Sequence, residues 1–134
     1  MIKTLIGAIL AVTTFTVTPP NTHDKLLNAI EMVESGGRGE ATPDGDNGRA
    51  IGIFQIHEVY WKDAVAHDKT LGGTYQDCRK AAYARRVVLA YWDRYAPQDA
   101  SYEVLARIHN GGPKGYKKKA TLSYWKKVQK HLTQ

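Results

Sequence analysis

Lys25-Leu26-Leu27-Asn28-Ala29-Ile30-Glu31-Met32-Val33-Glu34-Ser35-Gly36-Gly37 is the stretch on which the fold turns. Leu26, Leu27, Ile30 and Val33 recur with the period of a helix that buries one face. The pattern predicts a helix from about Asp24 to Glu34, with Asn21 or Thr22 as N-cap and Gly36-Gly37 as the stop. Glu34 then becomes a carboxylate at a helix end, facing a glycine-lined gap. Partial burial there favours the neutral acid and raises its pKa, which general-acid work near neutral pH requires. A solvated helix-end glutamate accounts for the same residues, so the decision rests on the remainder of the chain.

Downstream, residues 36–52 carry Gly36, Gly37, Gly39, Pro43, Gly45, Gly48 and Gly52 with Asp44, Asp46 and Asn47, a composition that predicts turns and a small β-hairpin. The apolar segment Ile51-Gly52-Ile53-Phe54-Gln55-Ile56 follows. A short helix over residues 58–65 would then put Tyr60 and Ala64 on one face. Tyr83, Val87, Tyr91 and Tyr95 recur every four residues, with Ala84, Val88 and Trp92 alongside, and predict the longest helix over residues 79–95, ended by Pro97. Ser101 N-caps a further helix that stops at His109-Asn110-Gly111-Gly112-Pro113. The last helix, residues 121–132, is expected to bury Leu122, Trp125 and Val128. The fold class is α+β, mostly helical, with a small Gly-rich β-turn or hairpin region.

At 134 residues the chain makes one domain with a single hydrophobic core. Met1-Ile2-Lys3 leads into Leu5-Ile6-Gly7-Ala8-Ile9-Leu10-Ala11-Val12, an apolar run shorter than the ~20 residues of a spanning helix, and residues 1–20 read as a secretory signal. An uncleaved membrane anchor over residues 4–18 is the alternative, and residues 21–134 form the working domain. Export places that domain outside the cytosol or in the periplasm. Cys78 is the one cysteine, so no internal disulfide staples the fold. The five histidines (His23, His57, His67, His109, His131) are scattered without metal-ligand spacing, and neither metal nor cofactor is expected.

Net charge is +6, and Lys114, Lys117, Lys118, Lys119, Lys126, Lys127 and Lys130 all lie late in the chain. A basic exported protein is drawn to anionic polymers, here bacterial cell wall or membrane surfaces, or simply presents a solvated face. Nucleic acid is the competing partner, disfavoured by export and by the lack of a recognisable binding motif. The protein is expected to act as a monomer.

Glycoside hydrolysis commonly pairs a protonated carboxyl with an ionised one. Beside Glu34 the candidates are Glu40, Asp44 and Asp46. Asp46 sits in Gly45-Asp46-Asn47-Gly48, a polar turn of the kind that keeps an aspartate ionised. Gln55 interrupts an apolar run and must bond either nearby backbone or a polar cleft. In His109-Asn110-Gly111-Gly112 two hydrogen-bonding side chains precede glycines that let a ligand approach backbone, or that end a helix. Tyr116, Tyr124 and Trp125 could stack on sugar rings or fill the core.

Taken in order, Glu34-Ser35-Gly36-Gly37, Gly52-Ile53-Phe54-Gln55-Ile56 with Tyr60-Trp61, Ala106-Arg107-Ile108-His109-Asn110-Gly111-Gly112-Pro113 and Thr121-Leu122-Ser123-Tyr124-Trp125 resemble the invertebrate-type (destabilase) lysozymes of the lysozyme and lytic transglycosylase superfamily. The resemblance implies a lysozyme-like fold and a muramidase that acts on peptidoglycan glycan strands. It implies Glu34 as general acid and Asp46 as second carboxylate, with Asp44 as fallback. Gln55, Tyr60, Trp61, His109, Asn110, Gly111 and Gly112 would hold the glycan. Animal members are cysteine-rich, whereas this chain has Cys78 alone. A lytic transglycosylase using Glu34 by itself is the alternative enzyme, and a non-catalytic peptidoglycan-binding module the alternative outside enzymes.

Overall fold

The computed structural model describes Gly7, residues 9–13 and residues 22–133. The proposed leader, with its choice between cleavage and an anchor at residues 4–18, lies largely outside them. Among the described residues no helix is long and apolar enough to cross a membrane.

Among the described residues five α-helices carry most of the core, joined by Ile51, Ile53, Phe54 and Ile56 from a non-helical segment. α1 (Asp24–Ser35) buries Leu26, Leu27, Ala29 and Ile30, the face its periodicity defines. His23 occupies its N-cap without a side-chain cap bond, and Gly36 ends it in the left-handed conformation, φ +64°, its N–H on the Met32 carbonyl. α2 (Glu58–His67) buries Tyr60 and Ala64. α3 (Ala81–Tyr95) is the longest and buries Ala84, Val87, Val88, Ala90, Tyr91 and Trp92. α4 (Tyr102–Gly111) starts at Ser101, whose hydroxyl accepts from the Val104 N–H at 3.2 Å. It runs past His109 to Gly111. α5 (Leu122–Leu132) closes the fold against α1, while α2 packs on α3.

Three sequence expectations change. The N-cap of α1 is His23 and not Thr22, with Asn21 outside the described residues. Tyr124 and Val128 form the buried stripe of α5, while Leu122 is 38% exposed and Trp125 half-buried. Residues 122, 125 and 128 and residues 124 and 128 both suit a helical face, and packing against α1 selects the second. The expected hairpin is reduced to two isolated antiparallel bridges, Gly45 with Ala50 and Ile51 with Ile56. Asp46, Asn47 and Gly48 all have positive φ and wind the intervening chain into a 3-10 turn, leaving no run of extended residues to pair.

The connection from α4 to α5 is built on Arg107, a charged residue only 9% exposed. Its Nε donates to the Thr121 hydroxyl at 2.8 Å, one Nη to the Lys118 carbonyl at 3.1 Å, and the other lies 3.3 Å from Glu103. Every donor on a buried guanidinium needs such partners. Gly115 passes so near Arg107 that a Cβ would collide with the Arg107 carbonyl. This loop sets where α5, and with it Tyr124, meets α1.

Candidate active site

Glu34 stands in the last turn of α1 with its side chain 19% exposed. The next residue, Ser35, is buried, and its hydroxyl lies 2.9 Å from the Ile53 carbonyl and 3.0 Å from the Glu31 carbonyl. The end of α1 is thereby fastened to the turn at residues 52–56. From α5, the Tyr124 hydroxyl donates to Glu34 Oε1 at 2.8 Å. Burial pushes the Glu34 carboxyl up to about 7, against the opposing pull of the Tyr124 hydrogen bond and the Lys127 charge. At neutral pH this group is divided between acid and carboxylate.

His109 lies beneath it, 4% exposed, with Nε2 3.6 Å from Glu34 Oε1. That nitrogen sits 3.1 Å from the Phe54 carbonyl, which can only accept, so Nε2 carries the proton. Nδ1 is then the acceptor for the Tyr60 hydroxyl at 3.1 Å. Burial pushes His109 down to about 4, so the ring is neutral where Glu34 titrates. Had His109 been charged, it would have favoured the Glu34 carboxylate and undone the effect of burial. Tyr60 is 8% exposed and stacks on Tyr91 with ring centroids 3.6 Å apart, so it works through His109 and presents no ring face to a ligand.

The segment Gly52 to Ile56 joins this cluster to the Asp46 turn. Gly52 has φ +74°, and a Cβ there would collide with the Cys78 carbonyl. Gln55 is left-handed, φ +50°, and its amide donates to the Gly52 carbonyl at 3.0 Å. Its other end rests on Gly45, where a Cβ would collide with Gln55 Oε1. Gln55 thus bonds nearby backbone, one of the two uses open to it from sequence, and braces the turn that carries Asp46.

Asp46 is 45% exposed. Arg49 Nη2 donates to one carboxylate oxygen at 3.0 Å, and His57 Nε2 lies 3.4 Å from the other. Asp44 is committed elsewhere. It makes a two-pronged pair with Arg79, one arm at 2.9 Å, and the guanidinium holds its carboxyl below the usual aspartate value. Glu40 accepts from the Ala81 N–H at the start of α3.

Asn110 is exposed beside His109, and among the described residues its side chain makes no hydrogen bond. Gly111 lies against Thr121, whose methyl would stand 2.5 Å from a Cβ, and Gly112, φ +86°, is the cap of α4. Trp61 hydrogen-bonds neither carboxylate, although its backbone N–H donates to the carbonyl of His57, the neighbour of Asp46, at 3.1 Å. Its Nε1 donates to Tyr83 at 2.8 Å, and Tyr83 donates to the Gly72 carbonyl, so it braces the segment ahead of α3. Among the described residues no group of three or more potential metal ligands converges.

Tyr124, Ser35 and His57 entered the site from the structure. Tyr124 stood in the sequence as a residue for stacking or core, and its four-residue spacing to Val128 was the available signal.

A sequence profile described as destabilase matches residues 23–131. The chain belongs to the destabilase family. Among similar proteins of the family, Lysozyme 1 of Crassostrea virginica is 39% identical over 77% of this chain, which spans just over half (56%) of that protein's length. The lysozyme of Meretrix lusoria is 36% identical over 79% of this chain and 87% of its own. The crystal structure of Tapes japonica lysozyme overlays with a TM-score of 0.68 at 33% identity, covering 80% of this chain and 88% of that one. The destabilase chain described here therefore has a lysozyme-like, mostly helical fold.

Proposed function

We propose that this protein is a muramidase, hydrolysing the β-1,4 bond between N-acetylmuramic acid and N-acetylglucosamine in bacterial peptidoglycan. The observation that carries the reading is Glu34, a carboxyl kept from full ionisation at neutral pH by burial while its neighbour His109 is neutral. Glu34 delivers its proton to the glycosidic oxygen as the bond to the anomeric carbon breaks. Asp46 then attacks the oxocarbenium-like centre or stabilises its charge. Glu34, now a carboxylate, takes a proton from the water that completes the hydrolysis. Asn110, exposed and unpartnered at the end of α4, supplies hydrogen bonds to the bound glycan. Relatives named lysozymes in the same family support this reading. The apolar segment before residue 21 would carry the enzyme to its substrate outside the cytosol, where a single chain suffices.

Product analysis tests the proposal. Digested walls should yield new reducing ends, and Glu34→Gln protein should yield none above background. Fragments ending in 1,6-anhydro sugars would instead establish the transglycosylase reaction, in which Glu34 acts alone. Binding to walls without any soluble product would reduce the protein to a binding module.

A further inference from the structure

After Glu103 the chain contains no acidic residue through Gln134. Lys114, Lys117, Lys118, Lys119, Lys126, Lys127 and Lys130 in that segment are all exposed, and among the described residues none is in an ion pair. Lys118 donates to the Gly111 carbonyl and Lys117 lies over the Tyr116 ring, while the other five make no hydrogen bond or ion pair among the described residues. Acidic side chains collect elsewhere. Asp63 lies on α2 and Asp93 on α3, and Asp77 precedes α3.

This surface is coupled to the candidate active site. The inner face of α5 places Tyr124 on Glu34, and from the same helix Lys127 acts electrostatically on that carboxyl. A ligand along the outer face of α5 would therefore lie next to a glycan in the site. Lysine ammoniums are point charges that match repeated single anions without demanding a planar fork. Among large apolar residues on this stretch only Leu122 is exposed, at 38%, so nothing here provides the wedge with which a protein enters a bilayer. Those features fit a flexible polyanion better than a membrane.

We propose that the lysine surface of α5 and its preceding loop binds a phosphodiester polymer carried on the wall, keeping the enzyme on the glycan to which that polymer is attached. The inference rests on the wall being the substrate, as proposed above. The test uses insoluble walls with their phosphodiester polymer intact and the same walls stripped of it by hydrofluoric acid. Wild-type protein should half-saturate on intact walls at about tenfold lower wall concentration in low salt, and the advantage should fade as salt rises, as counterion release requires. Lys119→Glu/Lys126→Glu/Lys130→Glu protein, with Lys127 retained, should lose that advantage while its turnover on stripped walls is unchanged. Equal affinity of wild-type protein for both walls overturns the proposal, as does a triple variant that keeps the full advantage. Lysine-dependent pelleting with phosphatidylglycerol vesicles and no preference between walls would overturn it in favour of a membrane. Binding of Glu34→Gln protein to the two walls separates the two readings, since polymer-dependent binding alongside wild-type protein that releases no product would count only against the muramidase.

Discussion

The two candidate carboxylates are made in opposite ways. Glu34 is a product of packing: a helix end fastened by Ser35, roofed by Tyr124 and floored by a neutral His109. Asp46 is a product of backbone: a left-handed turn, held by Gln55 against Gly45, with the carboxylate 45% exposed between Arg49 and His57. The protonation of the first is a property of its surroundings, and the position of the second is a property of its turn. Substitutions at the two should therefore separate in stability as well as in rate.

Glu34→Gln should have the largest effect, a loss of about 10³-fold or more in wall lysis, at the upper end for removal of a general acid. Stability should move the other way. The folded-state pKa of about 7 lies above the ordinary 4.5, so ionised Glu34 destabilises the fold above pH 7 and has no such effect below about pH 4.5. Thermal or urea unfolding should show Glu34→Gln more stable by up to about 3 kcal/mol at pH 8, with no gain at pH 4. The same gain at both pH values would remove burial as the cause of the shift.

Asp46→Asn sharpens the contrast. Asparagine accepts the left-handed conformation as readily as aspartate, so unfolding should stay within about 0.5 kcal/mol of wild type. Wall lysis should drop about 10²-fold, near 2.7 kcal/mol of transition-state stabilisation. Full activity in this variant would leave the reaction to Glu34 alone.

A third effect is hidden in the wild type because two titrations oppose one another. Glu34 makes the fold more stable as pH falls from about 7 to 4.5. His109, whose folded-state pKa of about 4 lies below the ordinary 6.5, makes it less stable as pH falls from 6.5 to 4. Wild-type stability should therefore be nearly level across that window. Glu34→Gln exposes the His109 slope and should lose stability in acid, whereas His109→Gln exposes the Glu34 slope and should gain it. Parallel pH profiles for the two variants would show that these groups do not titrate as their burial requires.

Helices were legible in the sequence wherever apolar spacing was unambiguous, as in α1 and α3, or a cap was explicit, as at Ser101. The Gly-rich region was legible as turns but not as bridges, since pairing depends on where the chain returns, and that is set by contacts such as Gly52 against Cys78. Glu34 could be singled out because a carboxylate at a helix end beside glycines carries a local signature. His109 could be named as a site residue, but not as the neutral neighbour of Glu34, because it owes its tautomer to the Phe54 carbonyl and Tyr60, residues far away in the chain. Tyr124 was ambiguous for the same reason. A buried ring with a polar tip satisfies a core position and a hydrogen bond at once, and only the docking of α5 on α1 decides which acceptor it meets.

Tyr124→Phe isolates the hydrogen bond in the Glu34 environment. The hydroxyl lowers the Glu34 pKa because a donated hydrogen bond favours the carboxylate. Removing it leaves desolvation opposed chiefly by Lys127, and the phenyl ring keeps the burial that raises the pKa. The alkaline limb of kcat/KM should then move from about pH 7 to higher pH, while activity at pH 5.5, where Glu34 is already protonated, changes no more than a few-fold. Stability should fall by about 1 kcal/mol for the lost hydrogen bond. A limb that stays in place would mean that the hydroxyl serves only to seat α5, and a limb that moves to lower pH would mean that the hydroxyl, and not the ring alone, keeps water from Glu34.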